Sequence, residues 1–270
     1  MEATELGALM FGICLFATSL YSSASPLAAV ALPELARPFL MGAAVAFTTF
    51  LIIRSPFGRR TGAHFNPAIT VAYFFLGCVH RWDALFYVTF QFLGSVLGVL
   101  FAHQLLGASL SAFPVRYAIT TPGSYGSVAA LLAEFLLSAL LMGVVLFSTN
   151  HKTLVKLSPI FVSLITIFYY GLCASLSGFS VNPARSFSSA FFAQVWLGIW
   201  IYFAAPGLGM LTAASAYVRF QGRGKIYCAK VFHDTKSICP FFCNFEKYSV
   251  ASFQFPRLMK PRPNSKAACG

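Results

Sequence analysis

Charge is what this sequence has least of: only 10% of its 270 residues are Asp, Glu, Lys or Arg, and seven of those are acidic. A soluble domain carries about a quarter of its residues charged, so an ordinary water-solvated fold is excluded. So few carboxylates also leave little material for an ion-coupled transporter, whose spans carry acidic groups at the coupling site. A phosphate-binding loop is absent too. Ser55-Pro56-Phe57-Gly58-Arg59-Arg60-Thr61-Gly62 lacks the Gly-Lys-Ser/Thr ending and a preceding buried strand, and reads as a basic loop at a membrane face. The start, Met1-Glu2-Ala3-Thr4-Glu5, is acidic where a cleavable signal would be basic, so the first apolar run is expected to stay as a span. Seven cysteines imply no disulfide framework, because Cys14, Cys78 and Cys173 lie in or beside apolar runs and the other four lie in the tail.

What is present is apolar: 58% of the residues, with a mean hydropathy of +0.74. Runs near the length that crosses a bilayer occur at Leu6 to Tyr21, Phe39 to Ile53, Ala84 to Leu106, Ala129 to Phe147, Ile160 to Ser175 and Val195 to Tyr217. The expected class is therefore an all-α membrane protein with six transmembrane helices. Its net charge of +12 comes from basic residues at the edges of apolar runs and in the tail, with no aromatic-interleaved basic face, which argues against a nucleic-acid partner. Arg54, Arg59, Arg60, Arg81, Lys152, Lys156 and ten residues from Arg219 to Lys266 fall on one side, against Arg37, Arg116 and Arg185 on the other. The positive-inside rule then puts both termini in the cytoplasm. Residues 1–217 read as one membrane domain, and residues 218–270 as a basic, largely disordered cytoplasmic tail without an enzyme-like domain.

Two intervals between spans carry the same tripeptide: Asn66-Pro67-Ala68 and Asn182-Pro183-Ala184, each leading into an apolar stretch too short to cross. Asparagine is a strong helix N-cap and proline suits the first helical position. With its oxygen spent on the cap, each asparagine keeps an NH2 group to donate outward, backed by a positive helix end. A short helix can dip into the membrane only where protein or a water-filled cavity covers its ends. The halves repeat, about residues 1–110 and 128–217, with Glu5 set against Glu134. Three spans per repeat invert the second copy, so the two dips meet from opposite faces near the midplane.

Gly62-Ala63-His64-Phe65-Asn66-Pro67-Ala68-Ile69-Thr70 and Ser177-Gly178-Phe179-Ser180-Val181-Asn182-Pro183-Ala184-Arg185-Ser186-Phe187, with the paired glutamates, Gln91 and the six-span repeat, resemble the aquaporin, or major intrinsic protein, family. The resemblance covers roughly residues 1–220. It implies two re-entrant half-helices in an hourglass channel, a homotetramer with one pore per subunit, no cofactor, no enzymatic activity, and a plasma or inner membrane location. It implies that Asn66 and Asn182 orient passing water and interrupt the proton wire. Arg185 would stand at the outer constriction with Tyr170, Phe179 and an aromatic from the second span, Phe47 in preference to Ala46. Water-specific members often carry histidine where Tyr170 falls, and Tyr169 is an alternative wall. Glu5, Glu134 and His64 would brace the loops.

Glycerol-conducting members usually carry aspartate after the second Asn-Pro-Ala-Arg and a basic residue four further on. This chain has Ser186 and Ala190, and Tyr202-Phe203 resembles an aromatic pair of the water channels. Water is the expected substrate. The alternative is a channel of the same fold for glycerol, urea, ammonia or peroxide. The tail adds Cys228, His233, Cys239 and Cys243, a set zinc would accept tetrahedrally, although the spacing is not that of a standard finger and the thiols could be free.

Overall fold

The computed structural model describes residues 1–151, 153–233 and 239–244. Among the described residues, six helices are long and apolar enough to span a bilayer: α1 (Glu2–Tyr21), α2 (Ala36–Arg54), α5 (Arg81–Leu106), α7 (Gly126–Thr149), α8 (Ser158–Ser177) and α10 (Ile199–Gln221). Short helices α3 (Pro56–Thr61), α4 (Pro67–Phe75), α6 (Ala108–Ser111) and α9 (Pro183–Ala193) lie between them. The chain is an integral, multi-pass membrane protein. Leu93, Leu97, Phe101 and Leu105 recur every four residues along α5 and are all exposed, an apolar stripe of the kind lipid covers.

Packing repeats between the halves. Helix α1 lies along α5 and α7 along α10, while α2 crosses to α8 of the other half. Small residues permit the first two pairings. A Cβ on Gly98 would sit 2.3 Å from the Gly7 carbonyl oxygen, and one on Gly209 would sit 2.3 Å from that of Phe135. Such contact lets helix backbones pack where lipid supplies no hydrophobic drive. The half-helices interlock across the repeat: α4 packs on α5 and α10, α9 packs on the same two, and α4 and α9 touch each other.

The tail departs from expectation. Helix α10 runs on to Gln221, and the chain then folds back beneath the bundle. Ile226, Cys228, Ala229, Lys230, Val231 and Phe232 are buried. Val231 N–H donates to the Gly62 carbonyl at 2.9 Å and Tyr227 N–H to Asn150 Oδ1 at 2.8 Å, while Ser158 Oγ donates to the Val231 carbonyl. The expected disorder is therefore corrected for residues 226–233, whose apolar side chains and backbone donors find partners on the bundle. The remainder of the tail, 245–270, lies outside the described residues, as do Lys152 and 234–238.

Candidate functional site

Both tripeptides begin half-helices as their chemistry demands. Asn66 Oδ1 accepts the Ala68 N–H at 2.9 Å, and Asn182 Oδ1 accepts those of Ala184 at 3.1 Å and Arg185 at 3.3 Å. The amide nitrogens reach across: Asn66 Nδ2 donates to the Val181 carbonyl at 2.8 Å, and Asn182 Nδ2 to the Phe65 carbonyl at 2.9 Å. Each NH2 thus spends one hydrogen on the loop before the other asparagine and keeps one, a finer arrangement than two free amides. Phe65 (φ 29°) and Val181 (φ 48°) adopt left-handed backbone so that their carbonyls face the opposite asparagine, a conformation that needs outside support in non-glycine residues.

Two buried glutamates supply that support. Glu134 accepts Ser177 Oγ–H at 2.7 Å and the backbone N–H groups of Ser180 and Val181 at 2.9 and 2.7 Å. In the first half the partner is Glu2, whose carboxylate accepts His64 N–H at 3.2 Å, Phe65 N–H at 2.8 Å and Gln91 Nε2–H at 2.6 Å. This corrects the assignment of Glu5, which among the described residues accepts Thr61 Oγ1–H alone, at 2.6 Å. Glu2 and Glu5 are three residues apart on one helical face, so the repeat comparison slipped by one turn. The missed signal was the spacing to apolar positions. Leu9 and Ile13 follow Glu2 by seven and eleven residues, as Leu141 and Val145 follow Glu134, and all four line one cavity.

That cavity, partly open to solvent, runs from Tyr170, Phe179 and Arg185 past Asn66 and Asn182 to Ile53, Ala63 and the tail residue Val231. Its wall is mostly aliphatic, with Val45 and Thr49 of α2 matched by Val162 and Thr166 of α8. Arg185 is buried at 4% exposure, and its Nη1 has no hydrogen-bond partner among the described residues. The Phe179 ring lies edge-on to Tyr170 at 4.7 Å and to Tyr169 at 5.3 Å, and Tyr169 hydroxyl is tied to the Leu137 carbonyl at 2.9 Å. Both tyrosines therefore form the wall. Phe47 does not: it is 60% exposed on the outer face of α2, and Val45, two residues earlier, faces the cavity. Ala46 is buried away from the lining, its carbonyl accepting Ser163 Oγ–H at 3.1 Å.

His64 is fully buried outside the cavity lining, with Nδ1 paired to Thr70 Oγ1 at 3.1 Å and Nε2 to the Ala229 carbonyl of the tail at 2.8 Å. Ser186 Oγ bonds Ser180 Oγ and Thr120 Oγ1, both at 2.6 Å, and Tyr202 hydroxyl donates to the Ser177 carbonyl at 2.6 Å. Ala190 is buried, and Phe203 packs on Phe92 at 6.0 Å. These four stand behind the second loop or at the periphery, none of them on the cavity wall.

Away from the cavity the structure brings Cys228, His233, Cys239 and Cys243 together, with ligand atoms all within 4.8 Å of one another. Hydrogen bonds from Cys228 and Cys243 favour the thiolate of Cys239, and the same contact pushes Cys228 up.

Comparison with known proteins agrees with this geometry. The family model described as Major intrinsic protein matches residues 5–217. A putative aquaporin, NIP4-1, of Arabidopsis thaliana is 32% identical over 169 residues, which make up 62% of this chain and 58% of that protein. Aquaporin Z of Photorhabdus laumondii is 26% identical over 70% of this chain and 86% of its own. The chain spans less than two thirds of the plant relative's length. The aquaglyceroporin of Plasmodium falciparum superposes with a TM-score of 0.66 at 20% identity, over 83% of this chain and 96% of that one, which establishes a shared fold.

Proposed function

The chain belongs to the major intrinsic protein family, and from that premise we propose that it is a passive membrane channel conducting water in single file while excluding protons and ions. The observation that carries the reading is the pair of asparagines: each holds one N–H across the midpoint and keeps a second for a molecule in a mostly aliphatic cavity. A water oxygen accepting from both points its hydrogens away from the centre, which breaks the hydrogen-bonded chain protons need. The N-termini of α4 and α9 oppose cations at the same point. Arg185 supplies a fixed positive charge and an unsatisfied donor at the constriction formed with Tyr170, Phe179 and Val45. Being a channel of this family, it has no catalytic residue to assign.

Small neutral solutes are the second reading, favoured by Val45 standing where an aromatic ring was expected. The constriction is then wider than three aromatic walls would make it. We take the outer constriction to face away from the cytoplasm, with both termini and the tail inside, in a homotetramer of the plasma or inner membrane. Stopped-flow light scattering on proteoliposomes, challenged with an impermeant osmolyte and then with glycerol, separates the readings. Water permeability above that of empty vesicles with slow glycerol entry supports the water channel. Permeability equal to empty vesicles with fast glycerol entry replaces it with the solute channel.

A further inference from the structure

The end of the cavity opposite Arg185, cytoplasmic in the proposed orientation, is lined in part by the tail. Positions matching Tyr170, Phe179 and Arg185 in the first half are Ile53, Ala63 and Ile69, none of them aromatic or charged, and Val231 joins them in the wall. Four residues of the same tail segment and its return form one compact cluster. Cys228 Sγ lies 3.3 Å from Cys239 Sγ, and Cys243 Sγ lies 3.3 Å from His233 Nε2. A tetrahedral ion with sulfur ligands at about 2.3 Å sets donor atoms about 3.8 Å apart. The observed spread, from 3.3 Å to at most 4.8 Å, brackets that separation.

We propose that Cys228, His233, Cys239 and Cys243 bind one zinc ion, which fastens the tail segment 226–232 into the cytoplasmic mouth of the pore. Three thiols and an imidazole are a soft set that excludes calcium and magnesium and suits a closed, four-coordinate zinc centre. The expected cytoplasmic placement keeps such thiols reduced and available. Lys230, fully buried nearby, supplies positive charge that offsets three thiolates around a divalent ion.

The ligand loop also reaches the pore machinery. Phe241, between two of the ligands, stacks on His64 with ring centroids 5.2 Å apart and planes 4° apart, while Ala229 holds the other edge of the same imidazole. His64 stands two residues before Asn66. Release of the ion frees Phe241, Ala229 and Val231 together, so the mouth widens and the loop carrying Asn66 loses its outer support.

The test uses the full-length protein purified without immobilised-metal chromatography. Elemental analysis is expected to give about one zinc per chain in the wild type and none in the double variant Cys239→Ser/Cys243→Ser. Cobalt exchanged into the wild type is expected to show thiolate-to-cobalt charge-transfer and tetrahedral d–d bands. A metal-free wild type that takes up no cobalt, or a Cys228–Cys239 disulfide in its place, overturns the site. Should the double variant fail to fold, chelation of the wild type replaces it, with amide exchange over 226–232 as the readout. Exchange is expected to accelerate at least about tenfold on chelation, and unchanged exchange overturns the fastening. The effect on flow rests on the channel reading. Chelation is expected to raise water permeability at least about twofold, and unchanged permeability overturns control of the mouth. If no water passes in either state, the channel reading fails while the zinc count still decides the site.

Discussion

Val45 and Phe47 show what two helical steps do to a side chain: the first faces the cavity beside the constriction, the second is 60% exposed on the outer face. Replacing Val45 with Phe is expected to lower water permeability about tenfold, as steric closure of a single-file pore requires, whereas Phe47→Ala leaves it within about a factor of two. Osmotic shrinkage of vesicles at matched protein content checks both, and the reverse ranking would return Phe47 to the wall. The glutamates make a second contrast. Glu2→Ala removes the acceptor for two loop N–H groups and an amide in a buried setting, so a loss of about 2–4 kcal/mol is expected. Glu5→Ala removes one hydroxyl bond and is expected to cost about 1 kcal/mol. Thermal unfolding in detergent ranks the two, and Glu134→Ala should resemble Glu2→Ala.

At the scale of elements, the six spans and two half-helices were legible because length, hydropathy and the N-cap chemistry of Asn-Pro act locally. The ends were less so. Helix α1 starts at Glu2 rather than Leu6, since hydropathy counts a glutamate against a span although here the loop donors consume its charge. Helix α10 starts at Ile199 rather than Val195 because Gly198, with φ 68°, ends a turn before it. The facing of α2 was illegible for a related reason. A helix apolar on every side has no polar face to orient it, so Phe47 and Val45 look alike until α1 and α8 are in place. Helix pairing through glycine is testable at this scale. Gly209→Val places atoms against the Phe135 carbonyl and forces α10 from α7, with an expected loss of at least about 2 kcal/mol and broadening of the size-exclusion profile. A variant as stable and monodisperse as the wild type would show that the close approach is not needed.

For the whole molecule, the inverted repeat builds a symmetric frame and then breaks the symmetry at its two mouths. One mouth carries Tyr170, Phe179 and Arg185; the other carries small or aliphatic counterparts and borrows Val231 from the tail. Sequence reasoning singled out the residues of the first mouth by their distance from Asn182. It missed the second because the contact between Val231 and the bundle joins segments far apart in the chain and follows no periodicity. The centre is the part on which the proposed channel function depends, since that function requires Asn66 and Asn182 to admit water and refuse protons together. The decisive measurement is paired: osmotic water permeability and proton flux, read with an internal pH dye, on the same proteoliposomes under the same gradient. The account predicts water permeability well above empty vesicles with proton flux unchanged from them. Water permeability at the empty-vesicle level, or proton flux rising in step with it, would contradict the account.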